Sequence, residues 1–170
     1  MARLDYGSDM EDRSSTMSDP SVRLASLSDA AAIATLCAVL WPDATKQEHL
    51  ADVDHLLKTR MSGTLPATVF VAEDLLGGIS GFLQVGLRSH ADGCDPAHPV
   101  GFVEGWFVLE SLRRRGIGRA MMRAAEDWAS SQGCKEMASD TWIDETISQN
   151  AHQALGFEIV DRCIHFRKPL

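Results

Sequence analysis

The densest run of chemistry in the chain is Trp106-Phe107-Val108-Leu109-Glu110-Ser111-Leu112-Arg113-Arg114-Arg115-Gly116-Ile117-Gly118-Arg119. Apolar residues fit for a strand give way to a run of arginines and glycines, and an amphipathic helical pattern follows. The first N–H groups of a helix lack internal partners and its dipole is positive there, so such a turn can receive phosphate oxygens. Gly116 and Gly118 let a ligand approach the backbone, and Arg113, Arg114, Arg115 and Arg119 add charge. A solvated basic turn capping a core helix would look the same in isolation. Other motifs are excluded: Met121 stands where a dinucleotide fingerprint needs its third glycine, and no Lys-Ser/Thr pair completes a P-loop. Gly78-Ile79-Ser80-Gly81-Phe82 lacks the final glycine of a nucleophile elbow.

Carboxylates supply the second set of candidates. Glu104 sits in a strand otherwise fit for burial, where an unpaired carboxylate is costly, so it is either held by arginine or backbone amides or kept for chemistry. Asp140 follows a short apolar run and either caps the next element or faces a substrate. Asp161 occupies an alternate position in the last apolar run. His152 could donate a proton near neutrality, although a packed helix histidine has the same sequence signature. Trp41 is a core residue or an acceptor contact. His90, Asp92, Cys94, Asp95 and His98 have the residue types of a metal site, but a polar loop explains them equally well, and no metal is assigned.

These residues need elements to hold them. The pattern predicts a strand over 22–25, a helix capped by Ser26 or Ser28 and ended by Pro42, and a second helix over 47–60. Strands over 68–72 and 79–87 join through Gly77-Gly78, and 89–99 forms a polar loop. The central strand, 101–109, alternates Phe102, Glu104, Trp106 and Val108 on one face with Val103, Phe107 and Leu109 on the other. The strongest helix spans 117–132, a short strand 136–139, a helix 146–155 and a last strand 157–166. Mixed hairpins and a late strand-helix-strand crossover predict an α/β fold whose sheet carries helices on both faces.

At 170 residues the chain fits one domain over 21–170, preceded by a Ser- and Asp-rich leader over 1–20 expected to be disordered. The apolar runs are too short to cross a bilayer, and acidic residues interrupt the place of a signal-peptide core, so the cytoplasm is expected. Cys37, Cys94, Cys134 and Cys163 form no C-x-x-C pair and read as free thiols. A formal charge of −8 disfavours nucleic acid and suits a cationic small molecule.

Arg113-x-x-Gly116-x-Gly118 directly after an apolar strand resembles the acetyl-coenzyme A motif of the GNAT acetyltransferase superfamily. Ala151-His152-Gln153-Ala154-Leu155-Gly156-Phe157 resembles that family's closing helix and Gly-Phe turn. Pro99-Val100-Gly101-Phe102-Val103-Glu104-Gly105, Met137-Ala138-Ser139-Asp140-Thr141, Leu40-Trp41-Pro42 and His49-Leu50-Ala51-Asp52 are similar to segments of aminoglycoside 6′-N-acetyltransferases. The resemblance covers about 22–168 and implies a mixed, mostly antiparallel twisted sheet and a homodimer.

It implies direct acetyl transfer from acetyl-coenzyme A to an amine, with no metal. The cofactor would lie against Trp106, Phe107, Val108 and the segment Arg113 to Arg119, including Ile117. Trp41, Glu104, Asp140 and Asp161 would contact the substrate, with Glu104 or Asp140 as base and His152 at the place of a thiolate-protonating tyrosine. Two positions depart from the relatives: Glu145 replaces an asparagine at the cofactor, and the loop 89–98 lacks a tyrosine offered to substrate. The rival readings are acetylation of another small amine or a protein N-terminus, and a silent module that senses acyl-coenzyme A.

Overall fold

The structure is a computed structural model that describes residues 21–169, so the leader expected over 1–20 lies outside the described residues. Its elements run β1 (Ser21–Leu24), α1 (Ala30–Leu40), α2 (Lys46–Thr59), β2 (Met61–Ser62), β3 (Leu65–Glu73), β4 (Ile79–Arg88) and β5 (Val100–Val108). Then follow α3 (Ile117–Ser131), β6 (Glu136–Ser139) and α4 (Thr146–Gln153). Strand order is β1-β3-β4-β5-β6, with the short β2 paired to β3. Every pairing is antiparallel except β5 with β6, which α3 connects as a crossover. The mixed, mostly antiparallel sheet agrees with the sequence reading.

Period-two alternation divides the core. Along β3, Ala67, Val69 and Val71 pack with α1 and α2, whereas Phe70 and Ala72 pack with α3. The α1 and α2 layer contributes Ile33, Leu36, Cys37, Val53, Leu56 and Leu57; α3 contributes Ile117, Met121, Met122 and Ala125. His49 on α2 is buried, with Nε2 2.9 Å from the Trp41 carbonyl oxygen. No helix among the described residues is long and apolar enough to cross a membrane.

Local signals set the boundaries. Thr45 caps α2, accepting from the Glu48 N–H at 3.3 Å while the Glu48 carboxylate accepts from the Thr45 N–H at 2.8 Å. The chain leaves α2 through Arg60 in the left-handed region, φ 56°, and the Arg60 side chain donates to Thr68 Oγ1 and the Ala25 carbonyl. Between β1 and α1, Arg23 donates to both carboxylate oxygens of Asp29, at 2.8 and 2.9 Å, and to Glu73 at 2.8 Å.

The last strand expected over 157–166 does not form. No strand lies beyond α4 in the described chain, and Ile159, Val160, Ile164 and Phe166 are exposed. The alternating pattern is present, but a strand also needs a neighbour to satisfy its N–H and C=O groups.

Hydrogen bonds from Arg23, assisted by the Ser26 N–H, hold the Asp29 carboxyl well below the usual carboxylate range against the opposing effect of burial. A depressed folded-state pKa stabilises the protein above the ordinary Asp range, and that contribution is lost progressively as pH falls from that range through the depressed folded-state value. Asp29→Asn should therefore cost about 1–2 kcal/mol at neutral pH, after allowance for the solvent around half-exposed Arg23. The gap between the two proteins in urea denaturation should narrow below about pH 4. A gap that is constant with pH would contradict this account.

Candidate active site

The site begins with a fault in β5. Gln84 pairs with Gly105 and Val85 with Val103, which leaves Glu104 as an extra residue without a partner on β4. Such a bulge turns two successive residues to one side and bends the strand. Glu104 and Gly105 both face α1 and α2, after which Trp106 and Val108 pack with α3 and Phe107 with α1 and α2. The expected face holding Phe102, Glu104, Trp106 and Val108 together is thus broken after Glu104. Without the bulge, Trp106 and Phe107 would exchange sides.

Gly105 has a further role, because the ring of Trp41 occupies the place where a Cβ would stand. Trp41 also lies 6.1 Å from His49 and 6.1 Å from Phe82, centroid to centroid. Trp41 and His49 line a cleft of about 480 Å³ together with Asp52, His55, Gln84 and Glu104. The carboxylate of Glu104 is bound by Arg88, with Nε to Oε1 at 3.1 Å and Nη2 to Oε2 at 2.7 Å.

On its other edge, β5 parts from β6. The parallel register ends at Val103 opposite Ser139, whereas β5 continues to Val108. Leu109 N–H donates to the Ser80 carbonyl on β4 at 2.9 Å. Ladder alternation then directs the Phe107 amide toward β4 and the Val108 amide toward the edge that β6 has left. A ligand group beside that edge could take a hydrogen bond from Val108, while Phe107 belongs to the ladder.

The basic turn follows. Gly116 precedes α3 with φ 83°, and Arg114 also adopts positive φ, 64°. No atom lies within 4 Å of a Cβ placed on Gly116, so the turn is open to a ligand and the glycine serves backbone conformation. Gly118 differs: its missing Cβ admits the ring of Trp106, whose Cζ2 would lie 2.7 Å away. Close protein packing explains that glycine. Arg113 Nε donates to the Val108 carbonyl at 3.0 Å and so fastens the turn to the strand, and Arg119 donates to the Ala154 carbonyl. Arg114 and Arg115 are exposed, and Ile117 is buried under the turn. Open helix-start amides and exposed arginines beside a free strand edge fit a long, phosphate-bearing thioester.

His152 lies between the rings of Trp106 and Phe157, each at 5.3 Å. Its Nδ1 is 2.8 Å from the Ser148 carbonyl, which can only accept, so the neutral ring carries its proton there. Nε2 then faces Ser139 Oγ at 3.0 Å, and that hydroxyl also lies 3.3 Å from the Val103 carbonyl oxygen. A proton leaves through Nε2 only when the ring is imidazolium.

Other candidates lie apart. Asp140 is exposed after β6 and does not line the cleft, and Glu145 is exposed at the start of α4 without capping it. Asp161 sits in the strandless tail, accepting from the Arg162 N–H. His90, Cys94 and His98 form no metal-holding group among the described residues. Sequence reading missed Asp52 and His55 as cleft residues, although with His49 they repeat every third position on α2, a spacing that places side chains near one another. It also missed Arg88 and Ser139, which become partners only when strands pair.

A strand bulge, the divergence of β5 from β6 and an open helix-start turn all lie along one strand. Residues 32–157 match the acetyltransferase (GNAT) family, and the chain belongs to it. Among its relatives, the aminoglycoside N(6′)-acetyltransferase type 1 of Klebsiella aerogenes is 40% identical over 153 residues, covering 90% of this chain and 99% of the relative. That of Salmonella typhimurium is 42% identical over 130 residues, covering 76% and 85%. A solved structure of AAC(6′)-Iy with the bisubstrate analog CoA-S-monomethyl-acetylneamine superposes with a TM-score of 0.79 at 37% identity, covering 90% of this chain and all of that one.

Proposed function

We propose that this chain transfers the acetyl group of acetyl-coenzyme A directly to the 6′-amine of an aminoglycoside. The observation that carries the reading is the anionic cleft around Glu104, separated by one strand's width from the open edge and basic turn. Relatives of 30–42% identity that share one enzymatic name support the substrate class.

An amine largely protonated at neutral pH cannot attack a thioester until it loses a proton. A carboxylate near 4 Å from the cation is worth on the order of 4 kcal/mol before desolvation is subtracted, which favours polycations. Glu104 holds the reacting end, and Trp41 and Asp52 wall the cleft around it. The resemblance to the relatives, rather than the cleft itself, supports Asp140 and Asp161 as further acceptor contacts. Glu104 or Asp140 takes the proton through water.

Acetyl-coenzyme A supplies the activated acyl group. The N–H groups at the start of α3, with Arg114 and Arg115, receive its phosphates, while Trp106, Phe107 and Glu145 border its path. Val108 N–H points to where the thioester oxygen gains charge. His152, as imidazolium, protonates the departing thiolate. Burial pushes the Cys37 thiol, at the wall of the cleft, up to about 12, which disfavours the thiolate that an acyl-enzyme at this residue would need.

Action in the cytoplasm and assembly as a homodimer belong to the same proposal. The dimer is supported by the outer edge of β6, the last strand of the sheet, and by the exposed apolar tail, which together are what a second copy could cover. Asp161 lies on that tail, so its share in acceptor binding depends on how the tail docks. Sedimentation at micromolar concentration should give a dimer, and a monomer would contradict the assembly.

Thiol release with and without an aminoglycoside tests the reaction. Glu104→Gln and Asp140→Asn should each bind acetyl-coenzyme A normally yet lose about 100-fold or more in turnover. Acceptor affinity should fall with added salt. Compounds carrying a 6′-hydroxyl in place of the amine should release no thiol above background. Wild-type turnover in both variants would show that the acceptor site lies elsewhere.

A further inference from the structure

Arg88 is the last residue of β4, and Glu104 is the extra residue of the bulge on β5. The guanidinium engages both carboxylate oxygens, at 3.1 and 2.7 Å. Among the described residues no other hydrogen bond to the Glu104 side chain is formed. Arg88 Cζ sits 3.3 Å from the centroid of the Phe102 ring, so the plane that presents the two N–H groups is itself fixed. Phe102 and Glu104 lie on the same side of β5, and the stacked arginine spans them. The pair remains open to solvent, with side-chain exposures of 40% for Arg88 and 26% for Glu104.

Burial of a structural ion pair does not explain this arrangement, because the carboxylate also lines the cleft. A free glutamate has rotamers to choose from, and a bulge residue lacks the regular ladder neighbours that would select one. A two-point fork stacked on an aromatic ring selects it. The fork also brings a positive charge to a carboxylate that must hold a cation and then let that cation become neutral. Too strong a grip on the ammonium favours the bound ground state over the deprotonated, reacting amine. A resident guanidinium weakens that grip without removing the anion.

We propose that Arg88 is the positioning residue for Glu104: its fork fixes the carboxylate toward the cleft, and its charge moderates the hold of that carboxylate on the cationic acceptor. The inference rests on the acceptor-side role of Glu104 given above. It predicts an unusual kinetic split. Removing Arg88 should leave acceptor binding as tight as before or tighter, while turnover falls.

The test is steady-state kinetics with tobramycin at saturating acetyl-coenzyme A for the wild type, Arg88→Met, Arg88→Lys, Glu104→Gln and the Arg88→Met/Glu104→Gln double variant. Acetyl-coenzyme A affinity serves as the control for folding. Arg88→Met should lower kcat about tenfold or more with KM unchanged or reduced. Arg88→Lys keeps the charge and loses the fork, so KM should stay near wild type while kcat recovers only in part. In the Glu104→Gln background, Arg88→Met should change kcat by less than about twofold, because its effect passes through the carboxylate.

An equal loss from Arg88→Met in both backgrounds, or a raised KM with kcat intact, would overturn the inference and leave the reading of Glu104 standing. Wild-type turnover in Glu104→Gln alone would remove that reading and this inference with it. If Arg88→Met does not bind acetyl-coenzyme A, Arg88→Lys decides: wild-type kcat in that variant overturns the role of the fork, and a reduced kcat at unchanged KM supports it.

Discussion

The structure depends on one extra residue in the central strand. With Glu104 and Gly105 set against the single step from Gln84 to Val85, β5 changes phase in the middle of the sheet. Before the bulge, Val103 faces α3; after it, Trp106 and Val108 do. The phase change places a carboxylate over the α1 and α2 layer while the tryptophan next to the α3 turn still points the other way. A regular strand would put Glu104 and Trp106 on the same side, and the proposed acceptor and donor sites would compete for one face. Gly105 makes the fault workable, since any side chain there would displace Trp41 from the wall of the cleft.

The remaining elements can be understood from that strand outward. Pairing with β6 through Val103 anchors the entrance, and its end at Ser139 frees the following stretch of β5. The freed edge points an amide from Val108 toward the gap, and Arg113 returns to the Val108 carbonyl so that the turn starts at a fixed place. Gly116, in the left-handed region, then directs the chain into α3 with its first amides exposed. Ser139 and His152 stand on the far side of the same gap. In the proposed reaction the central strand would have three uses: one face for the acceptor, one edge for the thioester and one end for phosphate.

Much of this was legible in the sequence because it depends on local periodicity. The apolar run of 101–109 and the glycine-rich start of α3 each have a short-range signature, and the strand and helix they imply are present. The bulge was not read, although Gly105 inside an apolar strand was a signal for one. Arg88 and Glu104 lie sixteen residues apart, and only the register of β4 on β5 brings them together. Asp52 and His55 were obscured because an apolar stripe dominates α2, and the cleft-facing side shares that helix. The tail over 157–166 has the pattern of a strand without a partner in the described chain, since periodicity gives a residue its face but not its neighbour.

The central claim is that this geometry selects one nitrogen of a polycation. Tobramycin carries several amines of similar chemistry, so the position of the added acetyl group reports which one reaches the open edge of β5. NMR of the product, with its mass confirming a single acetyl group, should place that group on the 6′ nitrogen. Acetylation of another ring amine, or no product from an enzyme that binds acetyl-coenzyme A normally, would contradict the account.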